Sequence, residues 1–154
     1  MSNLLMIYTD GGCHGNPGPG GWAYVILAGD DSGGSDAVQQ DSGFDRQTTN
    51  NRMELTAVIQ ALEWIDQHEP AAKLRLVTDS QYVKNGITVW IHSWLRNGWQ
   101  TSAKKPVKNR DLWQRLHAVA GKVSVEWAWT RGHSGDTWNE VCDSMVQQAI
   151  AAAG

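Results

Sequence analysis

The 154-residue chain has few cysteines, few prolines and no long hydrophobic run. Its two cysteines, Cys13 and Cys142, lack the spacing of a metal site, which argues against a cysteine-based zinc centre. No segment has the length and apolarity of a membrane span, and the first residues lack the cationic and apolar regions of a secretory signal. We therefore expect a cytoplasmic protein with reduced thiols and no membrane partner.

A large net charge is also missing, since the formal value at pH 7 is −3. The charges are nevertheless segregated along the chain. Residues 1–79 hold four Lys and Arg against eleven acids, whereas residues 80–115 hold seven Lys and Arg and one acid, Asp111. Several tryptophans lie among these cations. This basic segment predicts contact with a polyanion, and a solvated surface with scattered lysines is the alternative interpretation.

Hydrophobic periodicity predicts one α/β domain with a mixed sheet. Three strands are predicted first, at Leu4–Asp10, Trp22–Leu27 and about Ala37–Phe44, the last as an edge strand in an acidic stretch. Helices and strands then alternate: a helix over 48–70, a strand over 73–79, helices over 87–99 and 109–121, a strand over 123–130 and a helix from residue 138. Adjacent strands followed by such alternation are typical of an α/β fold whose sheet is mixed.

Four carboxylates lie where such a fold places ligands. Asp10 and Asp79 each end a strand, and ligands of α/β sheets bind beyond the carboxyl ends of strands. Glu54 lies in a first helical turn beside an apolar stripe, and Asp143 lies at the edge of the last helix. Each acid alone also fits a structural role at a strand end or a helix surface. If the two strands are parallel neighbours, however, all four acids can cluster.

A cluster of four carboxylates is tolerable where it binds divalent cations, because the charges otherwise repel one another. Oxygen ligands favour Mg²⁺ or Mn²⁺, and two such ions can stabilise the attacking and leaving oxygens of a phosphodiester. His133 lies on a glycine-flanked loop ten residues before Asp143, where it could transfer a proton at the same place.

A glycine-rich segment, residues 11–21, follows Asp10 and suggests close approach to the backbone. A dinucleotide-binding loop would need its glycines to open a helix. Pro17 and Pro19 break any helix here and a strand follows, which argues against that interpretation.

Five segments together resemble ribonuclease HI of the bacterial type: YTDGGCHGNPGPGGW, TTNNRMEL, TDSQYVKNGITVWIHSW, KKPVKNRDLW and GHSGDTWNEVCD. They follow one another in the family's order over residues 8–143. The resemblance implies a single ribonuclease H domain over 1–154, with a five-stranded mixed sheet whose strands 1–3 are antiparallel and which helices flank. It also implies an endoribonuclease that hydrolyses the RNA strand of RNA/DNA hybrids and leaves 5′-phosphate and 3′-hydroxyl ends.

The resemblance also implies roles for individual residues. The metal ligands would be Asp10, Glu54, Asp79 and Asp143, holding two Mg²⁺ ions with substrate, for which Mn²⁺ could substitute. His133 would assist proton transfer or product release. The hybrid would be contacted by Cys13, Asn16, Asn51 and Gln81, and a DNA phosphate by Thr49. A basic handle on the DNA strand would comprise Trp90, Trp94, Trp99, Lys104, Lys105 and Lys108. We expect a monomer without an obligate protein partner.

Two of this chain's departures from the family pattern lead to predictions. The handle has fewer cations than in many relatives, which predicts weaker hybrid binding with a shallower salt dependence. The acidic stretch 29–47 is longer, which predicts a longer edge hairpin away from the site. Two alternatives remain: a nuclease of the same fold that acts on DNA, and a non-catalytic hybrid-binding module.

Overall fold

The computed structural model describes residues 4–28, 37–101, 103–129 and 137–153. Its five strands lie at the predicted places, and the first three are longer than expected. They are β1 (Leu4–Cys13), β2 (Gly18–Ala28), β3 (Ala37–Thr48), β4 (Lys73–Thr78) and β5 (Ser124–Trp129). Most of the glycine-rich segment belongs to the β1–β2 hairpin, because Gly11 and Gly12 pair with Trp22 and Gly21. The predicted loop therefore shrinks to a turn at residues 14–17.

The strands form one sheet in the order β3-β2-β1-β4-β5. The pairs β1–β2 and β2–β3 are antiparallel, whereas β1–β4 and β4–β5 are parallel. The sheet is therefore mixed, as predicted, and β3 lies at its edge. This order places β1 beside β4 in the middle of the sheet. The two strands run parallel, and their pairing ends at Tyr8 and Val77.

The helices are α1 (Asn50–His68), α2 (Gln81–Asn85), α3 (Ile91–Asn97), α4 (Arg110–Ala120) and α5 (Thr137–Ala153). The helix predicted over 87–99 has different bounds. Helical structure begins earlier, at Gln81, passes through a π-helical segment at Gly86–Trp90 and ends at Asn97. Gly98 and Trp99 both adopt positive φ, at 75° and 66°, which ends the helix before Trp99.

Two apolar layers hold the helices on opposite faces of the sheet. On one face, α1 buries its predicted stripe completely; the stripe is Leu55, Val58, Ile59, Leu62 and Ile65. Trp113 and Leu116 of α4 join the same core. On the other face, Cys142 of α5 packs with Met6 and Val25. No helix in the four described ranges is long and apolar enough to span a bilayer.

Candidate active site

Two of the predicted carboxylates lie just beyond the point where the parallel pairing of β1 and β4 ends. The parallel register pairs Tyr8 with Val77, so Asp10 and Asp79 each follow their paired residue by two positions. Glu54 joins them from α1. One ligand oxygen from each of these three carboxylates lies within 4.8 Å of the other two. Asp10, Glu54 and Asp79 are called the carboxylate triad below.

A close contact between β1 and α1 positions Glu54. A Cβ atom added to Gly11 would lie 2.6 Å from the backbone nitrogen of Glu54. Only glycine therefore lets the strand pass so near the first turn of α1. The turn itself is fixed by Thr49, the N-cap, whose Oγ1 accepts a hydrogen bond from the Arg52 backbone N–H at 3.2 Å.

The triad is electrostatically unfavourable without a cation. Burial, followed by the charges of Asp10 and Asp79, raises the pKa of Glu54 well above its usual value. Hydrogen bonds from the Gly11 N–H and the Ser80 hydroxyl act in the opposite direction on this pKa. The Glu54 Oε1 atom is buried and has no hydrogen-bond partner. A buried, unpaired carboxylate oxygen between two other acids fits a divalent cation of the kind that oxygen ligands favour.

A cleft of about 450 Å³ opens over the triad. Asp143 of α5 lines it, although within the described ranges Asp143 is not part of the group of three close ligands. Asn51 and Gln81 also line the cleft. His133 lies outside the described residues. The structure thus places three predicted acids together and the fourth on the wall of the same cleft.

The glycine turn is attached to the N-terminus of α1 through Asn50, a residue that the sequence analysis did not single out. The Asn50 side chain accepts a hydrogen bond from the Cys13 N–H at 2.8 Å. Its backbone N–H donates to Asn16 Oδ1 at 3.0 Å, and the Cys13 thiol lies 3.5 Å from the same oxygen. Cys13 and Asn16 therefore lie beside the start of α1 rather than among the lining residues of the cleft. The two successive asparagines of the segment TTNN were the feature of the sequence that could have indicated a role for Asn50.

Glycines along the hairpin have different roles. A Cβ atom on Gly11 or Gly20 would collide with the protein's own backbone, at 2.6 Å from Glu54 N and 2.8 Å from Gly12 O respectively. Internal packing therefore accounts for these two glycines. Gly12 differs, because its nearest neighbours would be Asn50 Oδ1 at 3.9 Å and Val146 Cγ1 at 4.0 Å. Gly12 lines the cleft, so it is the glycine whose missing side chain leaves room at the site.

The tryptophans of the handle form a packed aromatic series. The ring centroids of Trp94 lie 6.0 Å from Trp90 and 5.9 Å from Trp99. Trp94 also lies 5.4 Å from the buried Trp113, so Trp94 and Trp99 are partly buried against the core. Trp90 is 37% exposed. The handle lysines, Lys104, Lys105 and Lys108, are exposed in the following loop.

Comparison with known proteins agrees with this architecture. Residues 2–151 match the family profile described as RNase H. The Ribonuclease H of Treponema pallidum subsp. pallidum is 50% identical over 157 aligned positions, covering 97% of this chain and 92% of that protein. The Ribonuclease H of Marinobacter nauticus is 49% identical, covering 97% of this chain and 96% of that protein.

Solved structures show the same fold. LC9-RNase H1, described as a type 1 RNase H with the type 2 active-site motif, superposes with a TM-score of 0.86 and 31% identity. The match covers 100% of this chain and 75% of that chain. RNase H1 from Halobacterium salinarum NRC-1 superposes with a TM-score of 0.69 and 26% identity, covering 97% and 98% of the two chains. The chain belongs to the RNase H family.

Proposed function

We propose that this protein is an endoribonuclease that hydrolyses the RNA strand of RNA/DNA hybrids and leaves 5′-phosphate and 3′-hydroxyl ends. Family membership over nearly the whole chain supports the reaction class. The observation that carries the proposal is the triad of Asp10, Glu54 and Asp79 at the floor of an open cleft. We also propose that residues 1–154 form a single RNase H domain, which acts as a monomer in the cytoplasm.

We propose that Asp10, Glu54, Asp79 and Asp143 hold two Mg²⁺ ions, for which Mn²⁺ could substitute. The chemistry that such ions supply when bound is activation of the attacking water and charge stabilisation at the leaving 3′-oxygen. Asp10, Glu54 and Asp79 would supply ligands from the triad, and Asp143 would supply one from α5. His133 would carry a proton to or from the reacting oxygens.

Recognition of the hybrid is proposed to use the polar groups around the cleft. The amides of Asn51 and Gln81 line it and can both donate to and accept from a 2′-hydroxyl, the group that distinguishes RNA from DNA. Cys13 and Asn16 would contact the same groove from the glycine turn. The Thr49 oxygen accepts its capping bond, so the hydroxyl proton remains available for a phosphate oxygen.

The handle is proposed to contact the DNA strand. Trp90 is 37% exposed and would contact the strand, while Trp94 packs against Trp90 and Trp99 packs against Trp94 at the edge of the core. Lys104, Lys105 and Lys108 would neutralise phosphates.

An end-labelled RNA/DNA hybrid tests the proposed function. It is incubated in Mg²⁺ and in chelator, beside a DNA duplex and an RNA duplex, and the products are resolved on a sequencing gel. We expect metal-dependent cuts that are confined to the RNA strand of the hybrid. Cleavage of the DNA duplex would indicate a DNA nuclease of the same fold. Hybrid that is bound and remains intact at every Mg²⁺ concentration would indicate a binding module.

A further inference from the structure

An ion pair joins the start of α1 to the start of α4. The guanidinium of Arg52 donates to both carboxylate oxygens of Asp111, at 3.1 and 2.8 Å. The bidentate geometry is the strong form of this interaction. The hydrogen bond from Arg52 lowers the pKa of Asp111, which keeps the acid ionised. Asp111 is also the single acid of the basic segment 80–115, so its charge opposes the binding of a polyanion there.

The ion pair continues into a hydrogen-bonded network that reaches α2. Arg52 Nη1 also donates to Asn109 Oδ1 at 3.2 Å. The amide nitrogen of Asn109 donates to the Tyr82 hydroxyl at 3.1 Å, and Trp113 Nε1 donates to the same hydroxyl at 2.9 Å. Asn109 has a left-handed backbone, with φ of 61°. This arrangement connects three helix starts through side chains that are partly buried.

Each of these three helix starts carries a residue proposed to face the hybrid. Thr49 caps α1 through the backbone of Arg52 itself. Gln81 precedes Tyr82 at the start of α2, and Lys108 precedes Asn109 before α4. The network therefore includes the residue bonded to Thr49 and the residues that directly follow Gln81 and Lys108, and it joins elements that are separate in the sequence.

We propose that Asp111 is a positioning residue for hybrid binding: through Arg52 it holds the starts of α1, α2 and α4 in the relative positions that the two strands of the hybrid require. The inference rests on the proposed function, because it takes the hybrid as the ligand. It assigns a role to an acid in a surface that otherwise attracts phosphate.

The direction in which one substitution changes the Kd for hybrid distinguishes a positioning role of Asp111 from a purely electrostatic one. Asp111→Asn removes one negative charge from the basic segment, so electrostatic attraction alone predicts tighter binding of the hybrid. Positioning predicts the opposite result, because the asparagine side chain cannot replace the charged bidentate pair. Loss of a partly exposed pair of this kind is worth about 1 kcal/mol, so we expect the Kd for hybrid to rise about fivefold.

The chain contains a matched control between the same two helices. Arg115 of α4 donates to both oxygens of Glu63 of α1, at 2.8 and 2.6 Å. Glu63 lies eleven residues after Arg52, about 16 Å further along the helix, and it is not among the residues that line the cleft. Glu63→Gln therefore removes the same charge and an equivalent pair at the end of α1 that is far from the site.

The experiment measures the Kd of an RNA/DNA hybrid in chelator for the wild type, Asp111→Asn and Glu63→Gln, with the melting midpoint of each. We expect both variants to melt slightly earlier and only Asp111→Asn to bind more weakly. A Kd for Asp111→Asn that is unchanged or lower, or an equal rise in both variants, would overturn the inference. Because the assay is run without metal, it is independent of turnover. A wild type that binds the hybrid and fails to cut it in Mg²⁺ contradicts the proposed function alone.

Discussion

At the scale of single residues, Glu54 stands out among the described residues because its carboxyl group is buried beside two other acids. Burial and two neighbouring acids raise the pKa of this carboxyl group, and the Oε1 atom of Glu54 has no hydrogen-bond partner. A group whose pKa is raised in the folded state contributes stability that is complete below its unfolded pKa, about 4.3, and that is lost as pH rises through the folded pKa. At neutral pH without metal, where the carboxyl group of the unfolded chain is ionised, burying Glu54 beside two acids therefore costs folding free energy.

Glu54→Gln should consequently stabilise the metal-free protein. We expect the variant to melt above the wild type at pH 7 in chelator, because it removes the ionisable group whose pKa is raised, with the difference in melting midpoint shrinking as pH falls toward about 4.3. Mg²⁺ should reduce this difference in melting midpoint, because the ion binds and stabilises the folded wild type. A lower midpoint for Glu54→Gln, or a difference that does not vary with pH, contradicts this account of the triad.

At the scale of elements, the active site depends on how closely β1 passes α1. Gly11 permits that approach, whereas Gly12 lies one residue further along the same strand and faces free space in the cleft. The two glycines therefore separate the internal role of the hairpin from its proposed contact with the hybrid.

The variants Gly11→Ala and Gly12→Ala test this separation. Gly11→Ala must push β1 away from the Glu54 backbone, and we expect it to lower the free energy of unfolding by about 2 kcal/mol. Gly12→Ala meets its neighbours at ordinary contact distances, so its melting midpoint should match the wild type. If the hybrid backbone approaches this surface, Gly12→Ala should still raise the Kd for hybrid about tenfold. Unchanged affinity for Gly12→Ala would show that the substrate does not approach there.

The elements were largely predictable because their signals are local. The stripe of Leu55, Val58 and Ile65 has helical spacing, and the structure buries all three completely. The π-helical segment carries no such signal. Gly86 lies against the ring of Trp113, where any side chain would collide, and that contact joins residues that are distant in sequence. The network from Arg52 to Tyr82 was missed for the same reason, since hydrogen bonds between helices have no periodicity.

The site was predictable only in part, and the limits are physical. Asp10 and Asp79 were predicted to end strands. Although β1 continues past Asp10 to Cys13, the meeting of the two acids required only that β1 and β4 be parallel neighbours, which the structure shows. The sequence could not indicate that Asn16 would bond to the first backbone N–H of α1. Nor could it indicate that Trp94 would pack on Trp113, because a tryptophan beside lysines is equally typical of a surface contact.

At the scale of the whole molecule, the uneven charge distribution predicts a modest salt dependence of binding. The net charge is −3, and the cations that are proposed to contact the hybrid are concentrated after residue 80. Binding through phosphate contacts releases counterions, so the slope of log K against log salt counts the cations involved.

Lys105→Ala should make this slope shallower by about one unit, because one phosphate contact is lost. The matched control is Lys122→Ala, which removes an exposed lysine beside Glu63 and Asp66, toward the opposite end of α1. We expect Lys122→Ala to leave the slope unchanged. Equal slopes for Lys105→Ala and the wild type would show that the handle does not neutralise phosphate at this position.

Metal-dependent cleavage of the hybrid is proposed to require the carboxylate triad. Asp10→Asn tests it most directly, because it removes one charge while preserving the size of the side chain. The measurement compares cleavage of a labelled hybrid in Mg²⁺ by the wild type and by Asp10→Asn, with hybrid affinity determined for both in chelator. We expect the variant to bind the hybrid at least as tightly as the wild type and to cleave none of it. An Asp10→Asn protein that cuts the RNA strand at the wild-type rate would show that the triad is not the catalytic centre.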